Sequence, residues 1–309
     1  MHDHSGTDTT KIRAYDRAGY GALSLMTYSG VDSLAYSWRE RRWPVDRWLT
    51  AKFIESLENI KIWYPNAEEI GYDHVLSPFM EGYIRKSTTT GDLGYTSTQE
   101  CVAQIVARGG LAVLAHPWTG VRRFSKLTNL FAVEIYSAFA EYRRLVVKDS
   151  AFVAVDRNAQ LVANWDTLLM TNPAIRGIAV NDHYGPDNAS PALPAPIRDS
   201  GKIVVLVGAT DLASLRLALA AGRFFAIRDV AARKDGYPRI DSLHVDDEAI
   251  EVFGAAGNVR WIGNGRMVHA GARLSLKALP ADLRYVRGEV VDLGGGVLYT
   301  QAFRLALSE

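Results

Sequence analysis

The chain has 309 residues, 48% of them hydrophobic, and 35 basic against 34 acidic side chains give a formal net charge of +1 at pH 7. A balance this close to neutrality excludes general electrostatic capture of nucleic acid or of an anionic membrane, and no apolar run is long enough to cross a bilayer. The single cysteine, Cys101, excludes an intramolecular disulfide and any Cys-rich zinc site, so a bound metal would have to be held by His, Asp and Glu.

The chain opens on MHDHSGTDTT, with His2 and His4 on either side of one residue and Asp8 close behind. Taken alone, this suits a frayed polar terminus as well as a metal site. No charged segment followed by an apolar one is visible here, so no secretory signal is read and a cytoplasmic location is expected. ALSLMTY (22–28) reads as a buried strand. VDRWLTAKFIESL carries Val45, Trp48, Leu49, Phe53 and Leu57 at helical spacing, and Pro44 suits its first turn. In TSTQECVAQIVARGG, Ser97 and Glu100 stand at capping-box spacing and Gly109-Gly110 make a stop. LAVLAH (111–116), FAVEIYS (131–137), IRGIAVND (175–182) and KIVVLVG (202–208) are further buried-strand candidates. TDLASLRLALAAGR predicts a helix with Asp211 as cap and Gly222 as stop. Strands alternating with helices indicate βα units and a mostly parallel sheet or barrel.

From about residue 237 the texture changes to short alternating segments, among them AIEVFG, VRWIGNGRMV and RYVRGEVVD. Asn264-Gly265 is a type I′ hairpin signal between two of them. We therefore expect an α/β domain over residues 1–235 and a small antiparallel, sandwich-like β-domain over 236–309.

Five of the seven histidines fall in the α/β region: His2, His4, His74 in EEIGYDHVL, His116 in LAHPW and His183 in VNDHYG. Ligands of parallel α/β folds bind at the carboxyl ends of strands. His116 and Asp182 each follow a continuous apolar strand, so unrelated segments deliver them to one rim. Each group also has an ordinary explanation. A lone strand-end His is usually a hydrogen-bonded loop residue, Asp182-His183 can cap a turn, and Glu68-Glu69 can be a solvated pair. One shared cause covers them all: a hydrolytic site in which imidazoles and carboxylates hold divalent ions about 3.5–4 Å apart.

The stretches HDHSGTD, EEIGYDHVL, GGLAVLAHPW, FAVEIYS and NWDTLLMTNPAIRGIAVNDH stand in the order of the PHP (polymerase and histidinol phosphatase) superfamily. They most resemble its CehA/McbA-type metallohydrolases, and the tail resembles the small β-domain that closes such proteins. The resemblance covers nearly the whole chain. It implies a distorted, TIM-like βα barrel with metals at its strand ends. It implies a first ion on His2, His4, Glu69 and Asp182, and a second that shares Glu69 and adds His74 and His116. Glu69 is preferred to Glu68 because EIG fits the family's Glu-aliphatic-small pattern.

The ligands of a third family ion depart from the pattern. A Thr-Asp-His element reads Thr27-Tyr28-Ser29 here, an Asp-x-His element reads Asp182-His183-Tyr184, and Asp8 stands one residue close to the His pair. Two divalent ions are therefore expected, Zn, Mn or Fe, with the third position empty, altered or filled by side chains such as Tyr28 and Tyr184. His183 and Asp182 are the catalytic candidates, His183 being either an acid–base group or a loop donor. Only Met1 precedes the His-x-His motif, which in the family ends the first barrel strand, so an opened barrel or a start set too late is expected.

The implied activity is hydrolysis of a small, anionic phosphate ester by metal-activated water, with neither nucleic acid nor membrane as partner. Arg122 and Arg123 follow AHPW and are candidates to grip an anionic oxygen, with Lys126 beside them; an ordinary basic loop is the alternative. Glu134 is expected to orient a ligand from behind. A carbamate, ester or amide substrate would use the same site. A degenerate, non-catalytic binding protein would keep the motifs without the metal.

Overall fold

The computed structural model describes residues 9–29, 44–70, 72–81, 84, 96–118, 121–182, 200–229 and 237–305; at 27–29 and 70 it describes the backbone alone. His2, His4, Asp8, His183, Tyr184 and the Tyr28 side chain therefore lie outside the described residues. In chain order come α1 (Thr9–Arg17), β1 (Ala22–Leu23), β2 (Thr27–Ser29), α2 (Ala51–Glu55), β3 (Ile62–Trp63), β4 (Ala67–Ile70) and β5 (His74–Leu76). They are followed by α3 (Thr98–Ala107), β6 (Ala112–Leu114), β7 (Leu130–Ser137), α4 (Ala138–Tyr142), α5 (Ser150–Val153), α6 (Arg157–Leu169) and β8 (Arg176–Val180). Next are β9 (Gly201–Val205), α7 (Leu212–Ala220) and β10 (Phe224–Arg228). The remainder is built on β11 (Ser242–Val245), β12 (Ala249–Phe253), β13 (Asn258–Gly263), β14 (Arg266–Ala270), β15 (Arg273–Ser275), β16 (Tyr285–Val291), β17 (Val297–Tyr299) and β18 (Phe303–Arg304). Among the described residues no helix is long and apolar enough to cross a membrane.

Helix ends fall where side chains satisfy the first backbone donors. Ser97 starts α3 by accepting from the Glu100 N–H at 3.2 Å. The Glu100 carboxylate goes one residue further upstream than a capping box requires, and takes the N–H and hydroxyl of Thr96 at 2.6 and 2.7 Å. Asp211 starts α7 by accepting from the Ser214 N–H at 2.7 Å. Gly222 stops it at φ +70°, where a Cβ would lie 2.5 Å from the Arg176 side chain. The helix expected over 45–57 is broken. Val45–Arg47 make one 3₁₀ turn, and Thr50, extended at ψ 146°, caps a fresh start by accepting from the Phe53 N–H. The apolar spacing survives this break, because both pieces turn the same side inward, but a Thr that bonds its own backbone competes with propagation.

β2-β4-β5-β6-β7-β8 form one mixed sheet. β2/β4, β6/β7 and β7/β8 are parallel; β4/β5 and β5/β6 are antiparallel. Among the described residues this path stays open, and the closure of a TIM-like barrel is not seen. β9 and β10 leave it. They pair antiparallel and join the C-terminal strands in the order β14-β13-β16-β17-β10-β9. That sheet runs across the boundary expected at 235/236. β11-β12-β15 form a second antiparallel layer, and Phe225, Ile227, Ile250, Val252, Trp261 and Leu274 share one apolar core. Asn264 and Gly265, at φ +49° and +76°, make the expected hairpin between β13 and β14.

Two polar ties fix the frame around the site. Asp166 of α6 accepts from Arg287 Nε and Nη2, each at 2.8 Å, and from the Tyr285 hydroxyl at 2.7 Å. Arg287 also donates to Glu289 at 2.5 Å and lies over the fully buried Trp165, 5.1 Å from its ring centre. Burial, and then the Asp166 charge, push the Tyr285 phenol up. The second tie is Asp16 of α1, a buried carboxylate that accepts from the N–H groups of Glu58, Asn59 and Ile60 at 3.0, 2.7 and 2.9 Å. Burial alone would raise its pKa, but the three amides together outweigh burial and hold it low. A carboxylate depressed in this way stabilises the fold above its unfolded pKa and loses that contribution as pH falls through the folded one. Asp16→Ala should cost about 2–3 kcal/mol in urea melts at pH 7, and the deficit should shrink below about pH 4. A deficit of equal size at every pH would contradict this account.

Candidate metal centre

The β4–β5 hairpin sets Glu68 opposite Leu76, Glu69 opposite Val75 and Ile70 opposite His74. Directly opposed residues share a face of a sheet, and faces alternate along each strand. His74 therefore shares its face with Glu68 and Leu76, whereas Glu69 shares the other with Val75. The diagonal contact follows: Nδ1 of His74 lies 2.7 Å from Oε1 of Glu68.

His116 reaches the same carboxylate from β6. Val75 pairs with Leu114, and the Ala115 N–H donates to the His74 carbonyl at 3.0 Å. Continued alternation would put Ala115 on the face of His74. His116 instead has φ +26°, and this left-handed turn takes the imidazole out of strand register. Its Nε2 stands 3.5 Å from the same Oε1, and its ring centre 4.9 Å from that of His74. Such a backbone is strained for a residue with a Cβ and persists only where its surroundings over-determine it. Here they do. The buried Glu134 of β7 accepts from the His116 N–H at 2.7 Å. The His116 carbonyl accepts from the Trp118 N–H at 2.7 Å. The Pro117 carbonyl accepts from Asn164 Nδ2 of α6 at 2.5 Å. The Trp118 ring stacks on the imidazole with centres 4.8 Å apart and planes 25° apart. Glu134 thus holds the backbone of His116.

Glu68, His74 and His116 bring one carboxylate oxygen and two imidazole nitrogens within 4.8 Å of one another. The carboxylate is fully buried, while the His74 and His116 side chains are 34% and 14% exposed, so both imidazoles remain reachable from solvent. One carboxylate with two imidazoles is a donor set that fits a divalent Zn, Mn or Fe ion. Glu69, the carboxylate expected there, is not in this trio: strand register selects its neighbour. Asp182 is also outside the trio. It is buried at the end of β8, two strands along from β6, at φ +52°. The turn is tied down by Asn181, which accepts from the Gly201 N–H at 3.0 Å and donates to the Tyr15 hydroxyl at 3.3 Å.

The two imidazoles, with Glu68 buried behind them, line a cavity of about 370 Å³ together with Trp118, Phe152, Arg123 and Arg157. Arg123 donates to Asp73, whose other oxygen accepts from the Thr98 hydroxyl at 2.5 Å. Arg122 and Lys126 are exposed on the Val121–Lys126 3₁₀ turn and do not line the cavity. Glu68 is the less favoured alternative to Glu69 in the sequence, and Asn164 and Arg157 are not expected from it. Of these only Glu68 had a local signal, the parity of residues 68, 70 and 74 across a short turn. Another cavity, of about 380 Å³, lies between α1 and β9 and contains none of these groups.

No family model matches the chain, and no curated protein matches it. Among solved structures, the chain is similar to a two-domain protein from Bacteroides vulgatus containing a predicted PHP-like metal-dependent phosphoesterase. The two are 13% identical, with 98% of this chain and 93% of the other covered, at a TM-score of 0.44. A likeness this distant carries no argument, so the functional case stands on the residues themselves.

Proposed function

We propose that the protein is a metal-dependent hydrolase of the PHP superfamily, acting as a phosphoesterase. The observation that carries this is the convergence of Glu68, His74 and His116 on one another, with both imidazoles facing a cavity that also contains arginine. The order of the HDH, EEIGYDH, AHPW and VNDH stretches along the chain adds to it. In this reading Glu68, His74 and His116 hold one divalent ion, and His2, His4, Glu69 and Asp182 hold a second. Ions so held polarise a phosphoryl oxygen and lower the pKa of bound water to about 7. The protein's own part is to keep the ligands fixed before substrate arrives. Glu134 and Asn164 hold the His116 turn from two sides, so little reorganisation is left for the reaction. His183 is the acid–base candidate of the proposal, next to the ligand Asp182. The aromatic wall of Trp118 and Phe152, edge to face at 5.2 Å, favours a second reading in which an aryl carbamate or ester is cleaved at the same site.

Protein purified without chelator should carry metal. Chelation should abolish hydrolysis of a phosphomonoester panel, and Mn²⁺ or Zn²⁺ should restore it. Cleavage of aryl carbamates alone would replace the phosphoesterase by the second reading. Absence of metal, unrescued by either ion, would leave a binding protein.

A further inference from the structure

We propose that Arg157 is the anion-recognising residue of this cavity, and that the group it takes is an oxyanion, phosphoryl or carboxylate. The inference deepens the phosphoesterase reading and rests on it for the source of the oxyanion. The other arginine lining the cavity and several in the surrounding frame have carboxylate partners. Arg123 has Asp73, Arg143 has Asp149, Arg144 and Arg228 have Glu141, and Arg287 has Asp166. Arg157 has no carboxylate among the described residues. Its Nη1 donates to the neutral Gln160 side chain at 2.9 Å, and its guanidinium carbon lies 5.9 Å from the Phe152 ring centre. Its Nε is buried without an acceptor. The Nε atoms of Arg143, Arg144 and Arg228 share that condition, but each of those guanidiniums is already answered by an acid.

A partly buried cation without an anion is an unfavourable arrangement that an incoming oxyanion relieves. The planar fork of arginine suits two oxygens of one group. Arg157 is also the first residue of α6, where the helix dipole adds positive potential. The adjacent Asp156 is committed as the helix cap, accepting from the Ala159 N–H at 3.0 Å. The acid lining the cavity, Asp73, is committed to Arg123. The uncompensated charge facing the cavity is therefore positive and centred on Arg157. α6 holds it in place, since Asn164 of the same helix bonds the Pro117 carbonyl next to His116. An oxyanion on Arg157 would thus sit at a fixed offset from the imidazoles.

The test is calorimetric titration of inorganic phosphate and of acetate into the full-length protein, with and without Mn²⁺. Phosphate affinity should fall about 10–100-fold in Arg157→Gln, the range for loss of a charged hydrogen bond, with metal content unchanged. A parallel loss for acetate alone would assign the site to carboxylates. Equal phosphate and acetate affinities in the variant and the wild type would overturn the inference. So would a larger loss in Arg123→Gln, or a wild type that binds neither anion. Should Arg157→Gln fail to fold, phenylglyoxal labelling of the wild type decides: phosphate must protect Arg157, and undiminished labelling refutes the assignment. Arg157-dependent phosphate binding by a protein that takes up no metal would support the anion site and defeat the hydrolase reading, so the two fail separately.

Discussion

Glu68→Gln is expected to strip the metal and the activity together, each by more than about 100-fold. The substitution keeps the shape of the side chain and removes its charge. The oxygen concerned is the one that stands 2.7 Å from His74 and 3.5 Å from His116. Loss of a hydrogen-bonding partner behind a ligand costs about 10–100-fold in affinity or activity, so loss of a charged ligand should exceed that range. Metal content by mass spectrometry and turnover at saturating Mn²⁺ give the two readouts, with circular dichroism to verify the fold. Glu69→Gln is the comparison, and as a ligand of the second ion it should lose that ion alone. Its side chain shares a face with the core residue Val75, so it should affect the ion at His74 and His116 less. A larger metal loss from Glu69→Gln would return the shared carboxylate to Glu69 and refute the register argument.

The largest stability effect should come from Arg287→Met, about 3–5 kcal/mol in urea unfolding at neutral pH. Arg287 is 2% exposed and sits between Asp166 and Glu289. Removing one partner of a buried ion pair leaves the other charge uncompensated, and that costs about this much. Asp166 would retain only the Tyr285 hydroxyl among its three donors here, while Glu289 keeps Arg260 at 2.5 Å. The double variant Arg287→Met with Asp166→Leu should recover most of the deficit, because replacing a whole buried pair by apolar groups is often neutral or better. A single-variant deficit below about 1 kcal/mol would mean that the pair behaves as a surface pair.

Much of the frame is legible where the cause is local. Asp211 and Gly222 bracket α7, Ser97 starts α3, and Asn264-Gly265 turns the hairpin, because each acts on backbone within a few residues. His74 and His116 also stand out, as polar residues at the ends of apolar runs. The remainder depends on partners distant in sequence. Glu68 and Glu69 are separated by strand parity, which needs the pairing of Ile70 with His74. KIVVLVG reads as buried, and an apolar run of that kind says nothing about which sheet receives it; β9 joins the antiparallel one. Asp166 and Arg287 lie 121 residues apart, and neither flank announces the other. Arg157 differs from Arg123, which lines the same cavity, in the carboxylate that is missing around it in space.

The crossing of β10 has a consequence for synthesis. Phe224–Arg228 leaves the ribosome with β9 on one edge and nothing on the other, because its second neighbour, Val297–Tyr299, is made only after the whole segment between the two strands. Through that interval an apolar strand offers a row of open amides and carbonyls to any other nascent chain. Translation speed between the two strands, and a chaperone that shields the first meanwhile, should govern the yield of native protein more than substitutions at the metal ligands do.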